Sequence, residues 1–355
     1  MKIQTDIVEL EQLLIEGKLE GRRGLDRQRM SWLEGIRTTE ELNHITRDNI
    51  KWSEFVNKPA NMIDYLQKLG PIYITRMLIR ERDYVNQKIG KIVEEGFDKL
   101  HVISDYDKTI TKQHVNGKNQ LNAYEVLRRC PSVPKSVAAY LVEISEKYSV
   151  LDKTPELSNE ERMRYMAEWW NKTIEAYKDI NITQEEIDKT CLDIGPSLRD
   201  EAKEFFEILT KKEVPVLIIS AGVGEVLESL LKNSGIVGSN IELVTNYLKR
   251  DNEGRIIGYK SDPIHTSNKN LHDLKKTQFY NNVADRTNLL IMGDHLGDTI
   301  VGSQLDHVDN ILKIGFFYGE AEAVLPNWLN TFDIILKDDQ TMNVPKAILE
   351  LLKHE

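Results

Sequence analysis

The chain has 355 residues, with 57 acidic against 47 basic side chains and a formal net charge of -10. That length accommodates roughly two to three domains, and the acidic balance argues against a nucleic-acid partner held by its phosphate backbone. Cys130 and Cys191 are too few for a disulfide framework or a zinc cage and suit a reducing compartment. No apolar run approaches the ~20 residues of a membrane helix, and the polar start Met1-Lys2-Ile3-Gln4-Thr5-Asp6 has no secretory core. The expectation is a cytoplasmic, monomeric protein without a membrane partner.

In chain order, residues 1–60 are polar and short of strand signals, with helix-like patches such as Ile7 to Ile15. Gly21-Arg22-Arg23-Gly24 through Arg29 is a basic, glycine-spaced run, followed by the apolar anchor Met30-Ser31-Trp32-Leu33. Such a run can meet phosphates electrostatically, but its composition favours an extension, poorly ordered or helical, over residues 1–70. Residues 71–98 read as helix, because Met77, Leu78, Val85, Ile89, Ile92 and Val93 recur near helical spacing. Gly96 closes that helix, and the first core strand begins near Leu100.

The next stretch, His101-Val102-Ile103-Ser104-Asp105-Tyr106-Asp107-Lys108-Thr109, is an apolar run ending in two aspartates. Residues i and i+2 of a strand share a face, so Asp105 and Asp107 can serve one site. Two carboxylates this close repel unless a cation lies between them or they share a proton. The pattern points to a hard metal, Mg²⁺, and to a nucleophile paired with an acid/base; a solvated acidic turn is the plainer reading of the motif alone.

Residues 112–199 break the strand pattern. Tyr124 to Arg129, Val137 to Tyr148, Asn159 to Tyr177 and Gln184 to Cys191 read as helices, punctuated by Pro131, Pro134, Pro155 and Gly195-Pro196. An α/β alternation follows. Helices are predicted over 201–210 and 226–231. Strands are predicted over 214–220, 241–245, 289–292, 311–314 and 333–336. Short continuous apolar strands between helices argue for a parallel sheet covered on both faces, with ligands beyond the strands' carboxyl ends. The predicted organisation is a core over 71–111 and 200–355 with a helical cap inserted at 112–199.

Those carboxyl ends carry chemistry. After the second strand comes Ser220-Ala221-Gly222-Val223-Gly224, a hydroxyl with glycine-spaced N–H groups that can cradle phosphate. Ser-Ala-Gly turns are common, so this one speaks only in company. Lys269 lies in a polar loop, where a lysine is usually a solvated charge. Gly293-Asp294-His295-Leu296-Gly297-Asp298 supplies a second acidic pole. Together these four segments provide a carboxylate nucleophile, an acid/base, a hydroxyl anchor, a cation and distal acids for a metal, the parts that in-line phosphoryl transfer requires.

The order Asp-x-Asp-x-Thr, Ser, Lys, Gly-Asp-x-x-Gly-Asp resembles the haloacid dehalogenase superfamily of phosphatases. More narrowly, residues 71–355 resemble the cytosolic pyrimidine 5′-nucleotidase type III family. The stretches that carry this are Ser104 to Thr111, Tyr165-Met166-Ala167-Glu168-Trp169-Trp170, Ile219-Ser220-Ala221-Gly222, Ile264-His265 with Asn268-Lys269, and Ile311 to Gly315. The resemblance implies a Rossmann-like parallel sheet with an inserted helical cap. It implies Asp105 as nucleophile forming an aspartyl-phosphate, and Asp107 as the group that protonates the leaving 5′ oxygen and then activates water. Mg²⁺ would be held by the Asp105 side chain, the Asp107 carbonyl and Asp294, with Asp298 supporting its water shell. Ser220, the Ala221 backbone and Lys269 would hold the phosphate.

In the cap, Tyr124 and Trp169 match base-stacking aromatics, and Trp169-Trp170 fits the branch similar to 7-methylguanosine phosphate-specific nucleotidases. That branch implies 7-methyl-GMP and CMP as substrates. Three departures stand out: Asp152 where the family has a base-reading glutamate, Thr173 where it has a serine, and His295 after Asp294 where serine is usual. Residues 16–48 resemble the tail of insect non-LTR retrotransposon reverse transcriptases, which implies a fusion or a gene-boundary error and no polymerase activity. The competing readings are a phosphatase for another small phosphate ester and a nucleic-acid-associated protein with a vestigial nucleotidase body. The intact Asp105, Asp107, Ser220, Lys269 and Asp294 speak against the latter.

Overall fold

A computed structural model describes residues 63–69, 77–154, 157–195, 197–269, 274–319 and 322–352. Apart from 63–69, the segment expected to form an extension lies outside the described residues, as does the whole of the reverse-transcriptase likeness.

Among the described residues, seven strands form the central sheet: β1 (Met77–Leu78), β2 (Leu100–Ser104), β3 (Val216–Val223), β4 (Ile241–Asn246), β5 (Asn288–Gly293), β6 (Asn310–Phe317) and β7 (Ile334–Lys337). Their order is β1-β7-β6-β5-β2-β3-β4. Strands β2 to β7 are mutually parallel, and only β1 runs antiparallel, against β7. Every residue of the central strands β2 and β5 is buried, which explains their unbroken apolar composition: helices cover both faces. Because the strands are parallel, the ends of β2, β3 and β5 open onto one rim.

Three helices of the core are α1 (Arg82–Glu95), α6 (Ala202–Lys211) and α7 (Gly224–Ser234), with α8 (Asn343–Leu351) near the C-terminus. Gly96, at φ 72°, ends α1, and its N–H reaches the Ile92 carbonyl at 3.0 Å. The helix predicted over 71–98 needs correction at its start. Met77 and Leu78 pair with Leu336 and Ile335 as an edge strand, and the helix begins only at Arg82. Two adjacent apolar residues fit either period, and the open sheet edge decided between them.

Between β2 and α6 the described residues form four helices: α2 (Ala123–Leu127), α3 (Lys135–Lys153), α4 (Asn159–Tyr177) and α5 (Gln184–Ile194). Asn122 with Glu125, and Ser158 with Glu161, form capping boxes that start α2 and α4. The long helices α3 and α4 pack along one another, while α2 and α5 rest on α7. The insert leaves and returns through a zipped neck. Lys112 N–H donates to the Ser197 carbonyl at 2.7 Å, Arg199 N–H donates to the Ile110 carbonyl at 3.0 Å, and Thr111 bridges Leu198.

A second insertion was not anticipated from the sequence. Leu248–Arg250 and Ile256–Tyr259 form a hairpin whose turn is held by the Asp251 carboxylate and by Gly254 at φ 81°. The hairpin fastens to the end of α4. Asp179 N–H donates to the Ile256 carbonyl at 2.9 Å, and Ile256 N–H donates to the Ile180 carbonyl at 3.0 Å. Cys130 and Cys191 are both buried free thiols. No helix among the described residues is long and apolar enough to cross a membrane.

Candidate active site

The rim at the strand ends gathers the four predicted segments. Asp105 follows β2 directly, and its N–H donates to the Met292 carbonyl of β5 at 3.0 Å, so the neighbouring strand sets its position. Lys269 is 3% exposed, unlike an ordinary loop lysine. Its ammonium donates to Asp105 Oδ1 at 2.5 Å and to Asp298 Oδ1 at 2.7 Å. Two asparagines build the loop that delivers it. The Asn246 side chain exchanges two hydrogen bonds with the backbone of Ile264, at 2.7 and 2.8 Å. Asn268 bonds His265 N–H and the Pro263 carbonyl.

Asp298 opens the 3₁₀ helix Leu296–Gln304 after β5 and accepts the His295 N–H at 2.9 Å. Its carboxylate occupies space that a Cβ on Gly293 would invade at 2.3 Å, so glycine is obligatory there. His295, one of the departures from the family pattern, accepts the Gly297 N–H on Nδ1 at 3.1 Å. It caps the helix as a hydroxyl would.

Oxygens of Asp105, Asp294 and Asp298 lie within 4.8 Å of one another. Asp105 Oδ2 is buried without a hydrogen-bond partner. Burial pushes the Asp105 carboxyl up, Lys269 pulls it back, and Asp298 adds repulsion. Burial and the charge of Asp105 hold Asp294 at about 7. Lys269 stays charged: burial works against the ammonium, but Asp105 and Asp298 more than offset it. Three carboxyls around one ammonium form an oxygen-rich cluster short of positive charge, which is the donor set of a hard divalent cation.

The Asp107 carboxylate turns instead toward the insert and accepts the Ala123 N–H, at the start of α2, at 3.2 Å. Burial, and then Asp105, raise its pKa to about 7, so near neutrality it can both hold and release a proton. Lys108, next in sequence, adopts φ 63°.

The Ser220 segment lies where the β3–β4 register breaks, between Ile219 and Val223. The irregularity takes residues 220–222 out of the ladder. Ser220 Oγ accepts the Gly222 N–H at 3.1 Å, leaving its own proton to donate. The Ala221 carbonyl accepts from Asn246 Nδ2 at 2.9 Å and from the Trp170 indole N–H at 3.2 Å. Its peptide plane is therefore fixed from both the core and the insert. A Cβ on Gly222 would lie 2.9 Å from the Ala123 methyl, so glycine lets α2 approach and reach Asp107.

Asp105, Asp107, Ser220, Ala221, Lys269, Asp294 and Asp298 line one cavity, together with Tyr124, Asp152, Trp169 and Thr173. Tyr124 and Trp169, the two aromatics expected to stack on a base, both line this cavity, each against a different ring. Trp170 stands edge-on to Tyr124, with centroids 6.1 Å apart, while Trp169 stacks on Tyr148 at 6.0 Å and 14°. Tyr124 OH is 2.8 Å from Tyr259 OH on the hairpin. Asp152 accepts from Thr266 Oγ1 at 3.2 Å, tying α3 to the lysine loop. The cavity also takes in Glu125, Arg128 and Tyr177, which sequence reasoning missed. The spacing Trp170, Thr173, Tyr177 on one helical face was the available signal for the last.

The profile of the family described as pyrimidine 5′-nucleotidase (UMPH-1) matches residues 108–353. The 7-methylguanosine phosphate-specific 5′-nucleotidase of Drosophila melanogaster is 33% identical over 293 residues, 82% of this chain and 91% of that one. The corresponding Xenopus laevis enzyme A is 32% identical over 77% of this chain and 94% of its own. The crystal structure of cytosolic 5′-nucleotidase IIIB bound to cytidine superposes with a TM-score of 0.76 at 32% identity, covering 81% of this chain and 97% of that one.

Proposed function

The chain belongs to the pyrimidine 5′-nucleotidase (UMPH-1) family and is a 5′-nucleotidase; from that premise we propose that it is Mg²⁺-dependent and hydrolyses 7-methyl-GMP and pyrimidine monophosphates such as CMP. The observation that carries this reading is the Lys269 ammonium seated between Asp105 and Asp298 on the floor of a cavity whose roof is aromatic.

Asp105 is the nucleophile. Its carboxylate oxygen bonds to phosphorus as the bond from phosphorus to the ribose 5′ oxygen breaks. Asp107 hands its proton to that oxygen, and the nucleoside leaves. Asp107, now a base, takes a proton from the water that cleaves the aspartyl-phosphate, returning Asp105 and releasing phosphate. The Ser220 hydroxyl, the Ala221 N–H and Lys269 hold the phosphate oxygens through the reaction. Asp105, Asp294 and the Asp107 carbonyl would hold Mg²⁺, with Asp298 behind them. When bound, the ion neutralises charge so that an anionic carboxylate can approach an anionic phosphate.

Residues 112–199 act as the cap, and the hairpin 248–259 completes it. Tyr124, Trp169 and Trp170 give flat apolar faces to a nucleobase, and Asp152 gives a carboxylate at the cavity wall. A ring carrying delocalised positive charge, as 7-methylguanine does, is favoured by both. Steady-state phosphate release from 7-methyl-GMP, CMP, UMP and GMP tests this, with Mg²⁺ and with chelator. Turnover of the first two ahead of GMP, lost on chelation, is expected. Equal rates on all four would overturn the base assignment, and full activity in chelator would overturn the metal.

A further inference from the structure

Arg199 lies outside every assigned role, yet it is the most elaborately held cation of the neck. It is 3% exposed. Its Nε donates to the Thr109 carbonyl at 2.7 Å, and its other two nitrogens donate to the carbonyls of Lys108 and Asp339. The guanidinium lies 3.9 Å from the centroid of the Phe316 ring. A planar fork with several donors can hold peptide carbonyls of two segments at once; an ammonium cannot.

Two of those carbonyls belong to the turn that presents Asp107. The turn is unusual. Lys108 takes a left-handed conformation at φ 63°, which a side-chain-bearing residue keeps only when its surroundings enforce it. Inside the turn, the Tyr106 carbonyl accepts the N–H groups of Thr109, Ile110 and Thr111. Lys108 N–H donates to Thr111 Oγ1 at 2.8 Å. Outside it, Arg199 takes the carbonyls of Lys108 and Thr109. The peptide planes on both sides of Lys108 are thereby fixed, and with them the direction of the Asp107 side chain.

Arg199 also stands on the return strand of the neck, where its own N–H bonds the Ile110 carbonyl at 3.0 Å. We propose that Arg199 is a positioning residue that clamps the left-handed turn and so aims the Asp107 carboxyl at the leaving oxygen. This rests on the reading of Asp107 as proton donor. It makes the neck of the insert part of the acid's support.

The test compares kcat/KM, which reports the first chemical step, for two esters in the full-length enzyme. A nucleoside monophosphate leaves as an alkoxide that needs a proton; p-nitrophenyl phosphate leaves as a stable phenolate that hardly does. Arg199→Met should lower kcat/KM for CMP about a hundredfold and for p-nitrophenyl phosphate less than about fivefold. Arg199→Lys should fall between wild type and Arg199→Met, and it carries the same comparison if the methionine variant does not fold. Asp107→Asn is the reference and should discriminate at least as strongly. If Asp107→Asn discriminates and both Arg199 variants lose the two esters equally, or lose neither, the clamp is refuted and the proton donor stands. If Asp107→Asn itself does not discriminate, both fall.

Discussion

The floor of the cavity and its roof are built on different principles. On the floor, Asp105, Asp294 and Asp298 come from or next to strand ends in a sheet whose central strands are fully buried, a pinned loop brings in Lys269, and the lysine's contacts to Asp105 and Asp298 are short and charged. In the roof, Tyr124, Asp152, Trp169 and Trp170 sit on helices joined to the core through a neck, and their contacts are ring against ring or single hydrogen bonds, with no ion pair like that of Lys269. On the proposed function, the difference separates bond-breaking, which tolerates little displacement, from base choice, which would depend on apolar faces that can be exchanged without moving a strand.

The sharpest way to break that division is Asp105→Asn. The amide cannot form the covalent ester, so phosphate release should fall by roughly a thousandfold or more, while binding of the nucleoside in the roof, followed by tryptophan fluorescence, should persist. Normal turnover would remove the floor from the chemistry. Next in size, Trp169→Ala should lower kcat/KM for 7-methyl-GMP by about tenfold to a hundredfold, the loss of one stacking face, and leave p-nitrophenyl phosphate hydrolysis within about twofold. An equal loss with both esters would show that the roof serves the chemistry as well.

The smallest effect concerns stability at the far end of β2. His101 is fully buried, and neither ring nitrogen finds a hydrogen-bond partner among the described residues. Burial, with His307 and Arg286 adding repulsion, lowers its pKa to about 3. The folded state thus keeps the ring neutral where the unfolded chain, near 6.5, takes up a proton. Its share of stability is complete well above pH 6.5 and declines as pH falls toward 3, by about 1 to 2 kcal/mol between pH 6.5 and 5. Urea unfolding of His101→Leu at those two pH values should show a flatter dependence than wild type; an unchanged slope would mean that the ring is not the source.

The floor was legible in the sequence because strands, turns and acids there are local. Asp105 and Asp107 are two residues apart, and Gly293 through Asp298 is one turn. What joined Lys269 to them was the order of segments, since nothing local marks a buried loop lysine; Asn246 and Asn268, which hold the backbone of its loop, look like ordinary loop residues. The roof was legible in its helices and less so in its partners. Helix α4 presents consecutive residues about 100° apart, so Trp169 and Trp170 both line the cavity but meet different rings, Tyr148 and Tyr124, and the indole bond to Ala221 that fixes Trp170 has no local signal. The hairpin 248–259 carried its turn signal, Asp251 to Gly254, but nothing in that stretch says it would dock on α4. Arg199 reads as one more charge before a helix; only the carbonyls gathered around it give it a task.

The hairpin has a consequence for how the roof can travel. A flap fastened by one neck could swing in any direction its connecting strands allow. Here the roof has a second fastening, because the hairpin springs from the core at Tyr247 and Lys260, whose backbones bond at 2.9 Å, and grips the end of α4. The neck and the hairpin are not its sole holds, since α2 and α5 also lie against α7; with both fastenings intact, the roof can open only by sliding those helices over α7, not by swinging free.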